Sequence, residues 1–284
     1  MNAQELLLNS LEQRYSKYVA ERQRCKDEFS EEAVHDLRIA SRRLLALLTI
    51  LRAIDPQPHL QQLRRLFKNQ LDGLDELRDT QVMLAEISEA IATLPEIEPL
   101  EKYLQKREKR LLKTVEQEVR ALKNSAISKH IEKIQQDLIG PLAGQDLTAS
   151  LLSAVDEASS TVNRRMEQVD PAQPSTIHRV RIAFKKFRYM IEIIYSILPG
   201  FPETQLKSMH DYQTAMGEIQ DMDVMLRTLT DFSSRHKTYN PQSVRQFYEQ
   251  RHSEALAAYL EDMGQLHLFW RPAPDQPFSW ENKE

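Results

Sequence analysis

Two short stretches of the chain place a histidine among closely spaced arginines and lysines. Their residues are His35, Arg38 and Arg42 and, 143 residues later, His178, Arg181 and Lys185. Residues three or four positions apart share one face of an α-helix, so each stretch would form a cationic stripe headed by a histidine. Arginine guanidinium groups and lysine ammonium groups suit phosphate oxygens. These residue types therefore predict binding of a multivalent polyanion.

The two stretches differ in charge from the rest of the chain. The 284 residues carry a formal net charge of −4, whereas residues 35–68 carry +5 and residues 178–210 carry +4. Each stripe also lacks the interleaved acids that would form i,i+4 ion pairs. Unpaired like charges destabilise a helix, and a bound anion would relieve their repulsion. A solvated helix face is the plainer interpretation of one such stripe, but its occurrence in both stretches favours a site.

A second pair of matching blocks follows downstream. Leu77–Asp79 matches Ile219–Asp221 at an offset of 142 residues. Two blocks in the same order at nearly the same offset indicate an internal duplication. A glycine- and proline-containing break at residues 140–146 lies between the copies. We therefore predict a first repeat over residues 1–142, a second over 143–270, and a C-terminal tail over 271–284 that is loose from Pro272 onward.

Composition and periodicity predict the elements that position these residues. Glycine contributes only 6 of 284 residues, about a third of its usual share, which disfavours hairpin-rich sheets and phosphate loops. Apolar residues recur with helical spacing almost throughout, so the predicted fold class is all-α. We expect helices over residues 3–27, 31–54, 58–94, 99–122, 125–138, 148–168, 176–198, 202–235 and 241–264.

Several classes of function have no signature in the chain. The single cysteine, Cys25, excludes an intramolecular disulfide and a thiolate metal cage. We find no nucleophile with a matching base and no phosphate loop, and we expect neither a cofactor nor a metal. No signal peptide or apolar stretch of membrane-spanning length is present, so we expect a cytoplasmic protein without membrane partners.

Two alternatives to simple polyanion binding stay open. The pair His35 and Asp36 resembles the dipeptide of metal-dependent phosphohydrolases, for which Asp79 would be a further carboxylate. The second stretch has His178 followed by Arg179, however, and nearby arginines would repel a divalent cation. The other alternative is a helical scaffold that binds an acidic protein or nucleic acid through the same basic surface.

A resemblance to a known family is carried by four blocks: Val34–Leu44, Leu77–Asp79, Ile177–Tyr189 and Gly217–Asp223. Over roughly residues 5–270 the chain resembles the CHAD family, the histidine-containing α-helical domains. The resemblance implies two four-helix bundles related by pseudo-twofold symmetry, with a basic channel between them that binds inorganic polyphosphate. Association with polyphosphate granules is one role open to such a protein. It implies as binding residues His35, Arg38, Arg42, Arg43, His178, Arg181, Lys185, Lys186 and Arg188, with Arg65, Lys68, Arg78 and Lys207 as an outer set.

The chain departs from the family pattern at two places. Gln220 replaces the arginine expected beside Asp221, which weakens the case for a basic contact there. Asp75 and Glu76 stand where a glycine often precedes Leu77. Family members also occur fused to a triphosphate-processing domain. Because these 284 residues contain no such domain, we expect a non-enzymatic binding protein whose oligomeric state the sequence leaves open.

Overall fold

Helices make up almost the whole fold. A computed structural model describes residues 2–142 and 145–281. Over these residues the α-helices are α1 (Ala3–Glu28), α2 (Glu31–Ile54), α3 (Pro58–Ala90), α4 (Glu98–Ala121), α5 (Asn124–Ile139), α6 (Leu147–Met166), α7 (Pro174–Ile194), α8 (Glu203–Arg235) and α9 (Gln242–Asp262). The all-α prediction is confirmed, because the described residues contain no strand. None of the described helices combines the length and apolar character needed to cross a membrane.

Local sequence signals fix where the helices with the cationic stretches begin. The Ser30 hydroxyl caps α2 by accepting a hydrogen bond from the Ala33 amide at 3.1 Å. Pro174 occupies the first turn of α7, where its missing N–H removes no helical hydrogen bond. Phe29 adopts a left-handed conformation with φ 42°, which turns the chain sharply from α1 into α2. His35 and His178 therefore lie just inside well-defined helix starts.

The third helix is shorter than its sequence periodicity predicts. We expected a helix through Leu94, but α3 ends at Ala90 and a 3₁₀ turn follows at Pro95–Ile97. Leu94 leaves the helical region, with φ −137° and ψ 65°. The residue before a proline is sterically disfavoured in the α conformation, which explains why the helix does not continue to Pro95.

The two parts of the chain share their hydrophobic core. One cluster joins the apolar stripe of α2, including Leu44 and Leu48, to Phe184 and Phe187 of α7. A second cluster joins apolar residues of α3, α4, α8 and α9. The part before residue 143 forms five described α-helices and the part after residue 144 forms four. The predicted boundary falls at residues 143–144, outside the described residues, and the internal duplication stays a prediction from sequence.

The prediction of a loose C-terminal tail is wrong for its described part, which ends at Glu281. Phe278 and Trp280 are buried, and their rings stack with centroids 4.6 Å apart. Trp280 also donates a hydrogen bond from Nε1 to the Pro199 carbonyl oxygen at 3.1 Å. Burial of these large aromatic side chains holds the segment against the loop that follows α7, despite its prolines.

Candidate anion-binding site

The cationic faces of α2 and α7 meet where the two helices pack together. Lys185 on α7 lies close enough to Arg38, Arg42 and Arg181 that all three charges act on its pKa. We call these four residues, Arg38, Arg42, Arg181 and Lys185, the basic cluster. The structure thus brings cations from both sequence stretches to one place, although they are separated by more than a hundred residues in the chain.

Packing of the apolar stripes orients the cluster. Leu37 and Leu44 on α2 and Val180 and Phe184 on α7 are completely buried. Because side chains on opposite faces of a helix point away from each other, burial of these residues turns the arginines and Lys185 away from the core. The cluster is therefore a consequence of the same helical periodicity that forms the core.

In the first part of the chain, Asp75 of α3 neutralises the arginines. Arg38 donates from Nε to Asp75 Oδ1 at 2.6 Å, and Arg42 donates from Nη2 to both carboxylate oxygens at 2.6 Å. The side chains of Arg38, Arg42 and Asp75 are 13%, 19% and 35% exposed. Burial alone would raise the pKa of Asp75, but Arg42 and Arg38 outweigh it and lower the pKa. The carboxylate therefore engages N–H groups of both arginines that an anionic ligand would use.

In the second part of the chain, Arg181 packs against a glycine. A Cβ atom on Gly217 of α8 would be 3.7 Å from Arg181 Nη2. Arg181 Nε is buried and donates to no partner within the described residues, and no carboxylate among them accepts a hydrogen bond from this guanidinium. Arg181 does act on Asp79 and Asp221. Desolvation raises the pKa of both carboxyl groups, although the Asp79 side chain reaches solvent, and Arg181 opposes the rise.

Lys185 lies at the centre of the basic cluster. Burial lowers its pKa to about 6, with Arg42, Arg38 and Arg181 adding to the shift and Asp75 opposing it. The amine is therefore mostly neutral at pH 7 in the ligand-free protein. A bound anion would favour its protonated form, so Lys185 can take up a proton when the cluster is occupied.

The two histidines flank the cluster and share its electrostatics. Burial lowers the pKa of His35, and Arg78 and Arg38 lower it further. Burial also lowers the pKa of His178, with Arg181 assisting and a hydrogen bond with Gln220 opposing. Both imidazoles are consequently neutral at pH 7, and they can supply a neutral N–H donor or, beside an anion, a second positive charge.

Three further predicted residues lie outside the cluster. Arg78 pairs with Glu31 at 3.0 Å. The Arg43 Nε atom is 3.7 Å from Glu192 Oε2, and this side chain lines a separate surface cavity of about 500 Å³. Desolvation, opposed by Glu157 and assisted by arginines of α2 and α3, lowers the pKa of the exposed Lys186. Arg43 directly follows Arg42, and Lys186 directly follows Lys185. Because successive residues point in different directions around a helix, Arg43 and Lys186 face other neighbours.

The remaining predicted binding residues are either buried or exposed to solvent. Arg188 is only 8% exposed; it donates hydrogen bonds to Glu192 Oε1 at 2.7 Å and Gln213 Oε1 at 2.9 Å. Its guanidinium also lies 4.8 Å from the Tyr189 ring centroid. The structure thus places Arg188 in an internal contact between α7 and α8. Three residues of the outer set are exposed on α3 and α8: Arg65, Lys68 and Lys207.

The residues of the phosphohydrolase alternative have other partners. Asp36 accepts a hydrogen bond from Arg24 Nη1 of α1 at 2.7 Å. Asp79 lies among Arg38, Arg42 and Arg181, which all lower its pKa against the effect of desolvation. Within residues 2–142 and 145–281, no group of three or more His, Cys, Asp or Glu residues could hold a metal ion. The chemistry concentrated here is cationic.

Sequence reasoning missed the role of Asp75. The sequence showed only that this aspartate stands where a glycine often precedes Leu77. Its counterpart before the second block is Gly217, and that contrast was the available signal. The ion pairs with Arg38 and Arg42 join α3 to α2, so no spacing within one helix could reveal them.

Comparison with known proteins agrees with this architecture. The crystal structure of the CHAD domain from the plant Ricinus communis superimposes with a TM-score of 0.69, covering 96% of this chain and 89% of that one at 18% identity. At this identity the likeness concerns the fold. No curated protein shows significant similarity to the sequence. The sequence model of the CHAD domain matches residues 9–230, more than half of the chain. The protein therefore belongs to the CHAD domain family.

Proposed function

We propose that the protein binds inorganic polyphosphate through the basic cluster, without hydrolysing it. The observation that carries the proposal is the convergence of basic side chains from α2 and α7: Lys185, whose pKa burial lowers to about 6, lies close enough to Arg38, Arg42 and Arg181 that each lowers it further. This concentration of positive charge occurs in a chain with a net charge of −4. CHAD domains are associated with polyphosphate-related proteins, which favours this polyanion among those that could bind.

Polyphosphate suits the cluster because its charges are close together and linear. Arg181 and Arg38 can each donate two parallel hydrogen bonds to phosphate oxygens, and Lys185 can contribute a point charge between them. His35 and His178 extend the donors along the two helices. Each contact also relieves repulsion among the cations, so the electrostatic gain exceeds that of the same contacts made one at a time.

The partners of the acidic residues support binding without hydrolysis. Asp36 is engaged by Arg24 and Asp75 by two arginines. Asp79 and Asp221 lie in the field of Arg38 and Arg181, which would repel a divalent cation there. Asp75 therefore orients Arg38 and Arg42, and we assign none of the four carboxylates to the activation of water.

Titration with polyphosphate of defined chain lengths tests the proposal. We expect saturable binding that tightens with chain length until the chain spans the cluster, and weak binding of orthophosphate. Absence of binding at low salt would contradict the proposal.

Two controls separate the alternatives. Incubation of the complex with Mg²⁺ or Mn²⁺ should release no phosphate, since steady release would identify a phosphohydrolase. An equal charge concentration of RNA should leave long-chain polyphosphate bound. Efficient displacement by RNA or by an acidic protein would favour the scaffold alternative.

A further inference from the structure

The basic cluster has two arms, a first arm of Arg38 and Arg42 on α2 and a second arm of Arg181 and Lys185 on α7, and the helices that follow these arms differ at one corresponding position. Asp75 precedes Leu77 by two residues, as Gly217 precedes Ile219. In the first arm the aspartate binds Arg38 and Arg42 through contacts of 2.6 Å. In the second arm the glycine has no side chain, and the Arg181 guanidinium occupies the adjacent space. One arm is therefore already occupied by a carboxylate of the protein itself.

We propose that Asp75 is an intramolecular competitor that sets the affinity of the cluster for polyphosphate. Arg181 and Lys185 receive the polyanion first, and Arg38 and Arg42 join only after the Asp75 carboxylate has been displaced. The inference rests on the proposed function, because it assigns an order to contacts with the same ligand.

The geometry lets Asp75 compete with polyphosphate for the two arginines and also lets polyphosphate displace it. A single carboxylate is shared by two guanidinium groups, so it supplies one negative charge where a chain supplies one for each phosphate. Its side chain is 35% exposed, which leaves it a way out to solvent. A chain already held at Arg181 presents its next phosphates at high effective concentration, whereas a lone orthophosphate has no such advantage.

Replacement of the competitor is the direct test. Asp75→Asn keeps the shape of the side chain and removes its charge. Polyphosphate then no longer has to displace a charge-assisted contact of Asp75, so we expect about tenfold tighter binding of long-chain polyphosphate. Glu76→Gln is the matched control. It removes the same formal charge from the next residue, an exposed partner of Arg107, and should change the affinity by less than about twofold.

A double-mutant cycle distinguishes competition from a general charge effect. In an Arg38→Gln/Arg42→Gln background, the gain from Asp75→Asn should disappear, because nothing is left for the competitor to hold. A gain that persists there would overturn the inference. Asp75→Ala provides a second variant if the asparagine loses helix content, since alanine is compatible with a helix interior.

The remaining outcomes separate this inference from the proposed function. Unchanged affinity in Asp75→Asn, with the parent protein binding polyphosphate, overturns the competitor alone. Failure of both the parent and Asp75→Asn to bind polyphosphate overturns the proposed function and the competitor with it. Binding by Asp75→Asn where the parent binds weakly would be the strongest support for the competitor.

Discussion

The two arms of the basic cluster use the same residue types but balance their charge differently. Arg38 and Arg42 share the Asp75 carboxylate across the α2–α3 contact. Arg181 lies over Gly217, near Asp79 and Asp221 but hydrogen-bonded to no carboxylate among the described residues. The acids that decide the balance come from the neighbouring helix in each case. Charge counted along one helix therefore does not give the charge available to a ligand.

The largest expected effect comes from removing the cations of one arm at a time. Arg181→Gln/Lys185→Gln should weaken polyphosphate binding on the order of 100-fold or more, because two charge-assisted contacts of about 1.5–3 kcal/mol are lost. Arg38→Gln/Arg42→Gln should weaken it only about tenfold, since these arginines must first give up Asp75. Dissociation constants from calorimetric titration give both values.

A matched control for both double variants lies on α4. Lys102→Gln/Lys109→Gln removes two exposed lysines and should leave the affinity nearly unchanged. Arg38→Gln/Arg42→Gln leaves Asp75 without its ion-pair partners and could disturb the fold. Circular dichroism should therefore show that the helix content of this variant is close to that of the parent. Equal losses in the two arms, or a larger loss in the first arm, would contradict the asymmetry.

Salt dependence should distinguish the two arms as well. Four phosphate contacts predict a log–log slope of about −3, so affinity should fall roughly 50-fold between 50 and 200 mM salt. Arg181→Gln should make this slope shallower by about 0.7, because one contact that releases counterions is lost. Arg38→Gln should change the slope less, since Arg38 exchanges one ion pair for another. Affinity independent of salt would point to a ligand other than a polyanion.

Lys185 should make binding depend on pH. Its pKa is about 6 in the free protein, and a bound polyanion raises that pKa, so binding takes up a proton at pH values above 6. Affinity should therefore fall about tenfold between pH 6.5 and 8, at a slope of up to tenfold per pH unit. His35 and His178 add to the effect only at lower pH, because burial lowers their pKa values.

Calorimetry in buffers of different ionisation enthalpy measures this proton uptake. The parent protein should take up nearly one proton per bound chain at pH 7.5, and Lys185→Gln should take up almost none. Equal uptake by the parent and the variant would assign the coupling to another group.

The smallest expected effect is on the stability of the free protein. The pKa of Lys185 is lower in the folded than in the unfolded chain, so the unfolded chain binds more protons between pH 6 and 10.5 and stability rises with pH in that window. Lys185→Met removes this penalty. It should raise stability at pH 7 by about 1 kcal/mol or more, a shift of roughly 2–4 °C per kcal/mol.

Thermal unfolding followed by circular dichroism gives the melting temperatures. Lys102→Met, at an exposed position of α4, should stay within about 0.5 kcal/mol of the parent. A lower melting temperature for Lys185→Met would mean that Lys185 stabilises the fold as a charged group.

Periodicity predicted the helices and their buried faces because each of these depends on nearby residues. Leu37 and Leu44 are buried as their spacing predicts, and Arg38 and Arg42 lie off that stripe. Periodicity does not say which polar face meets which helix. The family resemblance implies Arg188 as a binding residue, and in the structure its guanidinium donates hydrogen bonds to Glu192, four residues later, and to Gln213 of α8. Contacts between distant helices, including that of Asp75, required the structure.

The C-terminal tail shows the same limit of prediction from local sequence. Its prolines and polar residues favoured a loose segment, but Phe278 and Trp280 find an apolar surface beside Trp270 and Pro199. Local composition measures the intrinsic preference of a segment. It does not measure the apolar surface that the rest of the fold offers to it.

Lysine footprinting tests most directly whether polyphosphate occupies the basic cluster. With its lowered pKa, Lys185 should react readily with an acylating reagent at pH 7.5, and mass spectrometry can follow its modification beside that of Lys102. Long-chain polyphosphate should slow the reaction at Lys185 at least about tenfold, by covering the amine and protonating it, while Lys102 reacts as before. Unchanged modification of Lys185 in a saturated complex, or equal protection of both lysines, would contradict binding at the cluster.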